Sequence, residues 1–296
     1  MNGLLLIDKP EGLSSAAVVR QVKKALTVEK IGHLGTLDPF ASGLLPLCLG
    51  SGTKIAQFLM AERKSYTGTI RLGVDTDTLD VTGEVLRTSP IPDYDEQTLR
   101  ALERRFSGEY WQTPPMYSAL KRNGVPLYKL ARRGVVVERE PRKIQIEQLV
   151  LSRIAADVWE FSLTSSKGAY MRVFAADIGA ALGCGGHLAS LRRTAFGEFS
   201  LHDALPLQSV LESRTAEASL LSPAQAMRHY PILRVAPDMI AQLRRGQQAV
   251  LRALPNETDA VTVAALIDAD DELVAVVERQ EGQDGQEGQW RLLRVL

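Results

Sequence analysis

Residues Gly3 to Lys9 form a short apolar run closed by charge and by Pro10, and they predict a buried strand. Ser14 or Ser15 then caps a helix whose apolar positions Val18, Val19, Val22 and Leu26 recur at helical spacing. A strand around Leu44 to Leu49 and a helix from Thr53 through Met60 follow. Ser65 to Leu72 alternates and carries β-branched residues, which predicts another strand. A polar loop over residues 75–80 leads to a strand at Glu84 to Arg87. Asp95 starts a helix that ends near Gly108, and Val125 to Arg133 is a further helix stopped by Gly134. Lys143 to Arg153 and Val158 to Leu163 predict an antiparallel pair. Ala169 to Leu182 reads as an amphipathic helix with Met171, Ala175, Ile178 and Leu182 on one face. His187 to Arg193 reads as a strand or strand edge.

This order is neither strictly alternating nor all-β, so the expected fold class is α+β around a mixed or antiparallel sheet. The composition shifts near Leu205 to Pro231, which divides the chain into residues 1–230 and a tail of 231–296. The tail is mostly short strands, broken by Pro255, by Asp268 to Glu272 and by the Gly/Gln-rich stretch 281–288, which reads as a flexible hairpin loop. It is about the smallest size that makes its own β-domain.

At 296 residues, 45% hydrophobic and 24% charged, the chain has the composition of a soluble globular protein. Leu4 to Ile7 is too short for a signal segment or a membrane span, so no membrane association is expected. Cys48 and Cys184 lie far apart and read as buried thiols in a reducing compartment, which points to the cytoplasm. The net charge of zero disfavours a nucleic-acid partner at first sight. Its distribution changes that picture: residues 1–210 hold 26 Lys+Arg against 22 Asp+Glu, whereas residues 211–296 hold 9 against 13. Basic pairs such as Lys23-Lys24, Lys121-Arg122, Arg132-Arg133, Arg142-Lys143 and Arg192-Arg193 could together make a phosphate-binding face, although each pair alone reads as solvated surface.

The candidate chemistry centres on the run Gly32-His33-Leu34-Gly35-Thr36-Leu37-Asp38-Pro39-Phe40-Ala41-Ser42-Gly43. Pro39 fixes its own φ and pushes Asp38 toward an extended backbone. One carboxylate is thus held on a stiff loop at an element edge, where chemistry is often placed. Taken alone, the string fits a structural turn equally well. Four further segments change the balance. They are Lys64-Ser65-Tyr66, the stretch from Met116 to Lys121 with Leu127 to Gly134, Ser166-Lys167-Gly168-Ala169-Tyr170-Met171-Arg172, and Gly183 to Arg193. Together the five resemble, in order, the motifs of the TruB-type pseudouridine synthases, which act on the T-arm of tRNA. The resemblance runs from Gly3 to about Pro206. The tail, with Leu243 to Gln247 and a late strand at Trp290 to Val295, more loosely resembles the small PUA-like RNA-binding domain of bacterial members. Leu34 and Phe40-Ala41-Ser42 depart modestly from the family pattern.

The resemblance implies a pseudouridine synthase catalytic domain over 1–230, a PUA-like domain over 231–296, and isomerisation of a uridine in the tRNA T-arm stem-loop at position 55. Asp38 would be the nucleophile, attacking C6 of the base or C1′ of the sugar, or assisting loss of a sugar proton. A carboxylate nucleophile can do this with no cofactor and no metal, and His187, His202 and His229 show no ligand spacing. Arg172 would support the ionised Asp38 through its planar fork. The target base must be flipped out of its stack and received on an aromatic face. Tyr66 would stack on it with its hydroxyl near the C5 proton, Tyr170 would line the same pocket, and Leu191 would form an apolar wall. His33 would contact RNA near the flipped nucleotide, and Lys167 would contact phosphate. A monomer is expected. The rival is a non-catalytic RNA-binding or tRNA chaperone protein, which would use the same basic face and tyrosines. A glycoside hydrolase drawing a second carboxylate from Asp75, Asp77 or Asp80 lacks an aromatic sugar platform beside Asp38. Gly50 to Lys54 lacks the spacing of a phosphate loop.

Overall fold

The computed structural model describes residues 1–60, 62–212, 216–255, 263–280 and 288–296. Its frame follows from two strands buried on both faces, Gly3–Lys9 and Ser42–Leu49, which pair antiparallel with Leu5 opposite Leu47. Successive side chains on a strand point to opposite faces. Leu5, Ile7, Leu45, Leu47 and Leu49 therefore enter one core, and Leu4, Leu6, Leu44 and Cys48 enter another.

Among the described residues the full sheet has ten strands. Across it lie Leu205–Pro206, Gly3–Lys9, Ser42–Leu49, Gly186–Phe196, Lys64–Leu72, Val158–Ser165, Arg142–Ala155 and Gly108–Gln112, with Ile31–His33 paired on Ser42–Leu49 and Phe199–Ser200 on Gly186–Phe196. Most pairs are antiparallel. The junction of Gly186–Phe196 with Ser42–Leu49 is parallel, with Arg192 opposite Ser42 and Arg193 opposite Gly43. The α+β expectation with a mixed sheet is met.

Helices Ser15–Ala25, Glu96–Phe106, Met171–Leu182 and Leu207–Glu212 cover the first face. Ser14 caps Ser15–Ala25 by accepting from Ala17 N, and Val18 and Val22 face the core. Asp95 caps Glu96–Phe106, which buries Leu99, Leu102 and Phe106. Met171–Leu182 buries Phe174, Ala175 and Ile178 and ends at Gly183 with φ +91°.

A second sheet, ordered Ile232–Arg234, Val263–Ile267, Leu273–Gln280 and Gln289–Val295, lies behind the other face of the main sheet. Ala265, Ile267, Leu273 and Val276 share the second core with Leu4, Leu6 and Leu44. Its opposite face, with Leu266, Val274 and Trp290, closes on Leu243, Leu251 and Leu254.

Several sequence expectations are corrected. The helix over Val125 to Arg133 shrinks to Leu127–Ala131, because Val125–Pro126 pairs with Lys121–Arg122 in a small hairpin. Asn123 and Gly124 both have positive φ, as a two-residue Asn-Gly hairpin turn requires. The helix from Thr53 splits into a 3-10 turn at Gly50–Lys54 and a helical turn at Ala56–Leu59. Gly186–Phe196 is a central strand, not an edge, and its polar residues had hidden this. The strands Ile31–His33 and Gly108–Gln112 had no counterpart in the sequence reading. The hairpin loop expected at 281–288 falls almost wholly outside the described residues, between two strands that do pair antiparallel.

Candidate active site

Asp38 lies on the loop between Ile31–His33 and Ser42–Leu49, and the fold grips that loop from three sides. The buried Ser15 hydroxyl accepts from Leu37 N at 2.8 Å and donates to Leu37 O at 3.0 Å. Lys9, fully buried, donates to Leu13 O at 2.6 Å, Pro10 O at 2.9 Å and Pro39 O at 3.3 Å. Arg193 donates to Leu44 O at 2.7 Å and Gly35 O at 3.1 Å. Burial lowers the Lys9 ammonium to about 8, against the opposing pull of Asp38.

Arg172 reaches Asp38 from the first turn of Met171–Leu182. Its Nε lies 2.9 Å from Asp38 Oδ2, and its Nη2 lies 3.5 Å from Oδ1. The same guanidinium donates to Tyr117 O at 2.6 Å and Thr78 O at 3.1 Å, and Nε is 3.7 Å from Asp80 Oδ2. Arg172 and Asp80 are buried, while Asp38 keeps 36% of its side chain exposed.

Sequence reasoning offered Asp80 only as a second carboxylate for the glycoside hydrolase it set aside, and gave it no part beside Arg172. Asp80 Oδ1 accepts from Thr82 Oγ1 at 2.5 Å, Thr78 Oγ1 at 2.8 Å and Thr82 N at 2.9 Å, which leaves Oδ2 turned to Arg172. Its loop is pinned to the central strand by Leu188 N to Leu79 O and Val81 N to Leu188 O, both 3.0 Å. Leu79 takes the left-handed φ of +62° there, a conformation that costs a branched residue energy and persists under tertiary constraint. Gln112 was missed too. Its buried amide accepts from Tyr170 N at 2.7 Å and donates to Tyr170 O at 3.1 Å, and so fixes the residue that opens the Arg172 helix. The signals for both were weak: Thr78 and Thr82 two residues either side of Asp80, and a glutamine just before Pro114-Pro115.

Tyr170 feels the charges of both Arg172 and Asp38, and burial raises its phenol above the ordinary value. Tyr66, half-buried on Lys64–Leu72, stands opposite Arg193 in the sheet register, and the donors of Arg193 hold the Asp38 loop. Leu191 is buried opposite Gly68. His33 opens the Asp38 loop, and burial and then Arg193 lower its imidazole, favouring the neutral ring. Lys167 is exposed on a turn where Ser166 exchanges hydrogen bonds with Gln145, and its charge acts on Lys64. It shows no contact with Asp38.

Burial raises the Asp38 carboxyl above its usual value; Arg172 opposes this, Asp80 adds to it, and Lys9 opposes it. The arrangement is a half-open carboxylate held beside a buried, fixed guanidinium, with Tyr170 close enough to feel both charges. Chemically it suits a nucleophile acting on a planar base brought in from solvent. Among the described residues no group of three or more His, Cys, Asp or Glu could hold a metal ion, and no helix is long and apolar enough to cross a membrane.

Residues 23–171 match the N-terminal domain of the TruB family of pseudouridylate synthases, and residues 172–228 match the C-terminal domain of tRNA pseudouridylate synthase B. The chain is 46% identical over 240 residues to tRNA pseudouridine synthase B of Opitutus terrae, covering 81% of this chain and 97% of that one. It is 44% identical over 287 residues to tRNA pseudouridine synthase B of Burkholderia pseudomallei, covering 95% and 94%. Its fold is similar to that in the crystal structure of a Cbf5-Nop10-Gar1 complex, with a TM-score of 0.71 at 24% identity over 99% of this chain and 84% of the other. The structure of an H/ACA RNP bound to a substrate RNA containing 2'-deoxyuridine gives 0.72 at 22% identity, again over 99% and 84%.

Proposed function

The chain belongs to the TruB family of pseudouridylate synthases, and on that premise we propose that Asp38 is the nucleophile with which it isomerises uridine 55 in the T-arm loop of tRNA. The reaction breaks the bond from C1′ to N1, turns the uracil and rejoins it through C5. Nothing is oxidised and no water is consumed, so the demands on the protein are to flip, hold and turn a base. Whether Asp38 adds to C6, adds to C1′ or assists loss of a sugar proton, the working form is the anion.

The observation that carries this reading is the contact of Asp38 with Arg172 at 2.9 Å, with the carboxylate open to solvent and the arginine buried. Arg172 favours the anion that burial opposes. Tyr66 stacks on the flipped uracil and takes the C5 proton; Tyr170 and Leu191 line the pocket; His33 contacts the RNA beside the flipped nucleotide; Lys167 meets phosphate at the rim. The sheet over 231–296 acts as a PUA-like module for the tRNA, and the protein works as a monomer in the cytoplasm. Nucleoside analysis of unmodified tRNA after incubation tests the reading. Wild type should yield one pseudouridine in the T-arm, and Asp38→Asn should yield none while still binding tRNA. Tight binding by the wild-type protein with unchanged nucleosides would favour a chaperone instead.

A further inference from the structure

Of the three tryptophans, Trp111 alone meets solvent. It is 67% exposed, whereas Trp159 is fully buried and Trp290 is 8% exposed. The other two indoles are also tied down, since Trp159 donates to the Tyr94 hydroxyl at 2.8 Å and Trp290 donates to Pro255 O at 3.1 Å. Trp111 has no hydrogen bond from its indole and no ring partner among the described residues. An indole offers a large flat apolar face with a polar edge, the shape that receives a partner at an interface. A lone exposed apolar side chain is ordinary, so the weight falls on where the fold puts this one.

The sheet gathers its chemistry at one margin. Ser42–Leu49, Lys64–Leu72 and Arg142–Ala155 begin there, and Gly186–Phe196, Val158–Ser165 and Gly108–Gln112 end there. The Asp38 loop, Tyr66, Tyr170 and Arg172 lie at the same margin. Ser165 pairs with Ile146, but Gln112 pairs with Arg142, four positions further along that strand. The last two strands therefore run on past the third by about 13 Å and form a wall beside the site. Gln112 turns inward from this wall to hold the Tyr170 backbone, and Trp111, one residue earlier, points out of its other face. Lys143 stands directly opposite Trp111, and its ammonium pairs with Glu109 at 2.5 Å, both side chains being more than half exposed. The stretch 121–143, which leads into the second strand of the wall, holds eight Lys or Arg against two Glu. That surplus draws phosphate to the rim on which Trp111 stands.

We propose that Trp111 is a stacking platform for an unpaired nucleotide of the tRNA other than the target uridine, with Lys143 beside it to meet a phosphate. The inference rests on the tRNA reading given above. Every base has a π-face, so stacking on an indole grips RNA with little regard to sequence. Platform and target pocket lie on opposite faces of one strand, so the bound RNA straddles the wall. Trp111 touches no reacting atom; it adds grip at a second point. The cations around it favour a polyanion over an apolar protein partner.

The test is acrylamide quenching of tryptophan fluorescence in the full-length protein, wild type against Trp111→Phe, free and with saturating tRNA or an isolated T-arm stem-loop. The difference between the two proteins reports Trp111, because Trp159 and Trp290 are common to both. Bound tRNA should dim that difference signal and at least halve its access to acrylamide. Shielding by tRNA and not by the stem-loop places the nucleotide outside the T-arm, and shielding by both places it within. An indole as accessible in the complex as in the free protein overturns the proposal. Affinity then asks whether the contact is stacking. Trp111→Phe keeps a ring and should bind tRNA within about threefold of wild type, whereas Trp111→Leu keeps apolar bulk without a ring and should bind at least about fivefold more weakly. Leucine binding as well as phenylalanine would overturn stacking. Both variants should keep the wild-type Tm, since the side chain is exposed; an affinity loss that appears only with a lower Tm would make Trp111 a structural residue. Nucleoside analysis of the wild-type samples separates the two readings. Pseudouridine formed while Trp111 stays accessible removes the platform alone, and tRNA left unmodified removes the proposed function instead.

Discussion

Asp38 is held in a form that burial disfavours and Arg172 restores, and the balance has readable consequences. Its carboxyl lies above the ordinary value, so the rate should fall with decreasing pH along a limb above the usual carboxylate range. Asp80→Asn keeps the hydroxyl contacts but removes a charge that raises Asp38, so that limb should move to lower pH; a rate profile that does not shift would show that the two carboxylates are uncoupled. Arg172→Lys keeps charge without the planar fork, and turnover should drop far more than tRNA affinity. Equal losses would make Arg172 a phosphate contact. Stability runs the other way. A carboxyl raised in the folded state contributes stability below its unfolded value that is lost as pH rises through its folded value. Asp38→Asn should therefore match or exceed the wild-type Tm at pH 7 while losing on the order of a thousandfold in turnover, measured by calorimetry beside nucleoside analysis. A fall of several degrees would mean that Asp38 stabilises the fold. Asp38 and Arg172, which meet in the structure, were legible because they sit in short, ordered motifs. Asp80 was not, because three acids in six residues look alike until Thr78 and Thr82 orient one of them. Arg193 hid in a basic doublet whose other member, Arg192, does pair with Asp8 near the surface.

Elements were readable where period and burial agreed. Gly3–Lys9 and Met171–Leu182 appear close to their expected spans, since most of their apolar residues are buried. Gly186–Phe196 did not, because a central strand carrying Ser190, Arg192 and Arg193 breaks the apolar pattern that marks a buried one. Gly108–Gln112 is five residues long, ends before two prolines and exposes Trp111, so nothing local announced it. Yet its last residue ties the sheet margin to the helix that presents Arg172. Gln112→Ala would leave the Tyr170 amide unpaired in the interior, and stability should fall by about 1–3 kcal/mol. Turnover should fall as well, with tRNA affinity little changed. Denaturant unfolding beside single-turnover assays measures both, and a stable, fully active variant would mean that the helix start needs no such anchor.

Across the whole molecule, the basic residues 1–210 and the acidic tail are joined by a common interior, since Ala265, Ile267, Leu273 and Val276 close on Leu4, Leu6, Leu34 and Leu44. Tyr230 donates to Phe58 O at 3.2 Å, and Lys54 donates to Val295 O at 3.2 Å. Cutting after Tyr230 should therefore lower the Tm and promote aggregation, each uncovered leucine costing about 1.5–3 kcal/mol. A truncated protein as stable as the full chain would refute that. The RNA role of the tail is better tested by changing Arg244 and Arg245 to Gln, since both are exposed. Affinity should weaken and the log-log salt slope should flatten by about one to two units, with turnover at saturating tRNA unchanged. The shared interior also has a consequence for synthesis. The strand at Gly3–Lys9 leaves the ribosome early, and the last residues that cover its back emerge some 260 positions later. At about 5–20 residues per second that interval is tens of seconds. Until then part of the apolar underside of the Asp38 platform stays uncovered, so a nascent chain should be an early client of ribosome-bound chaperones. It should also be inert toward tRNA until translation has passed the covering strands.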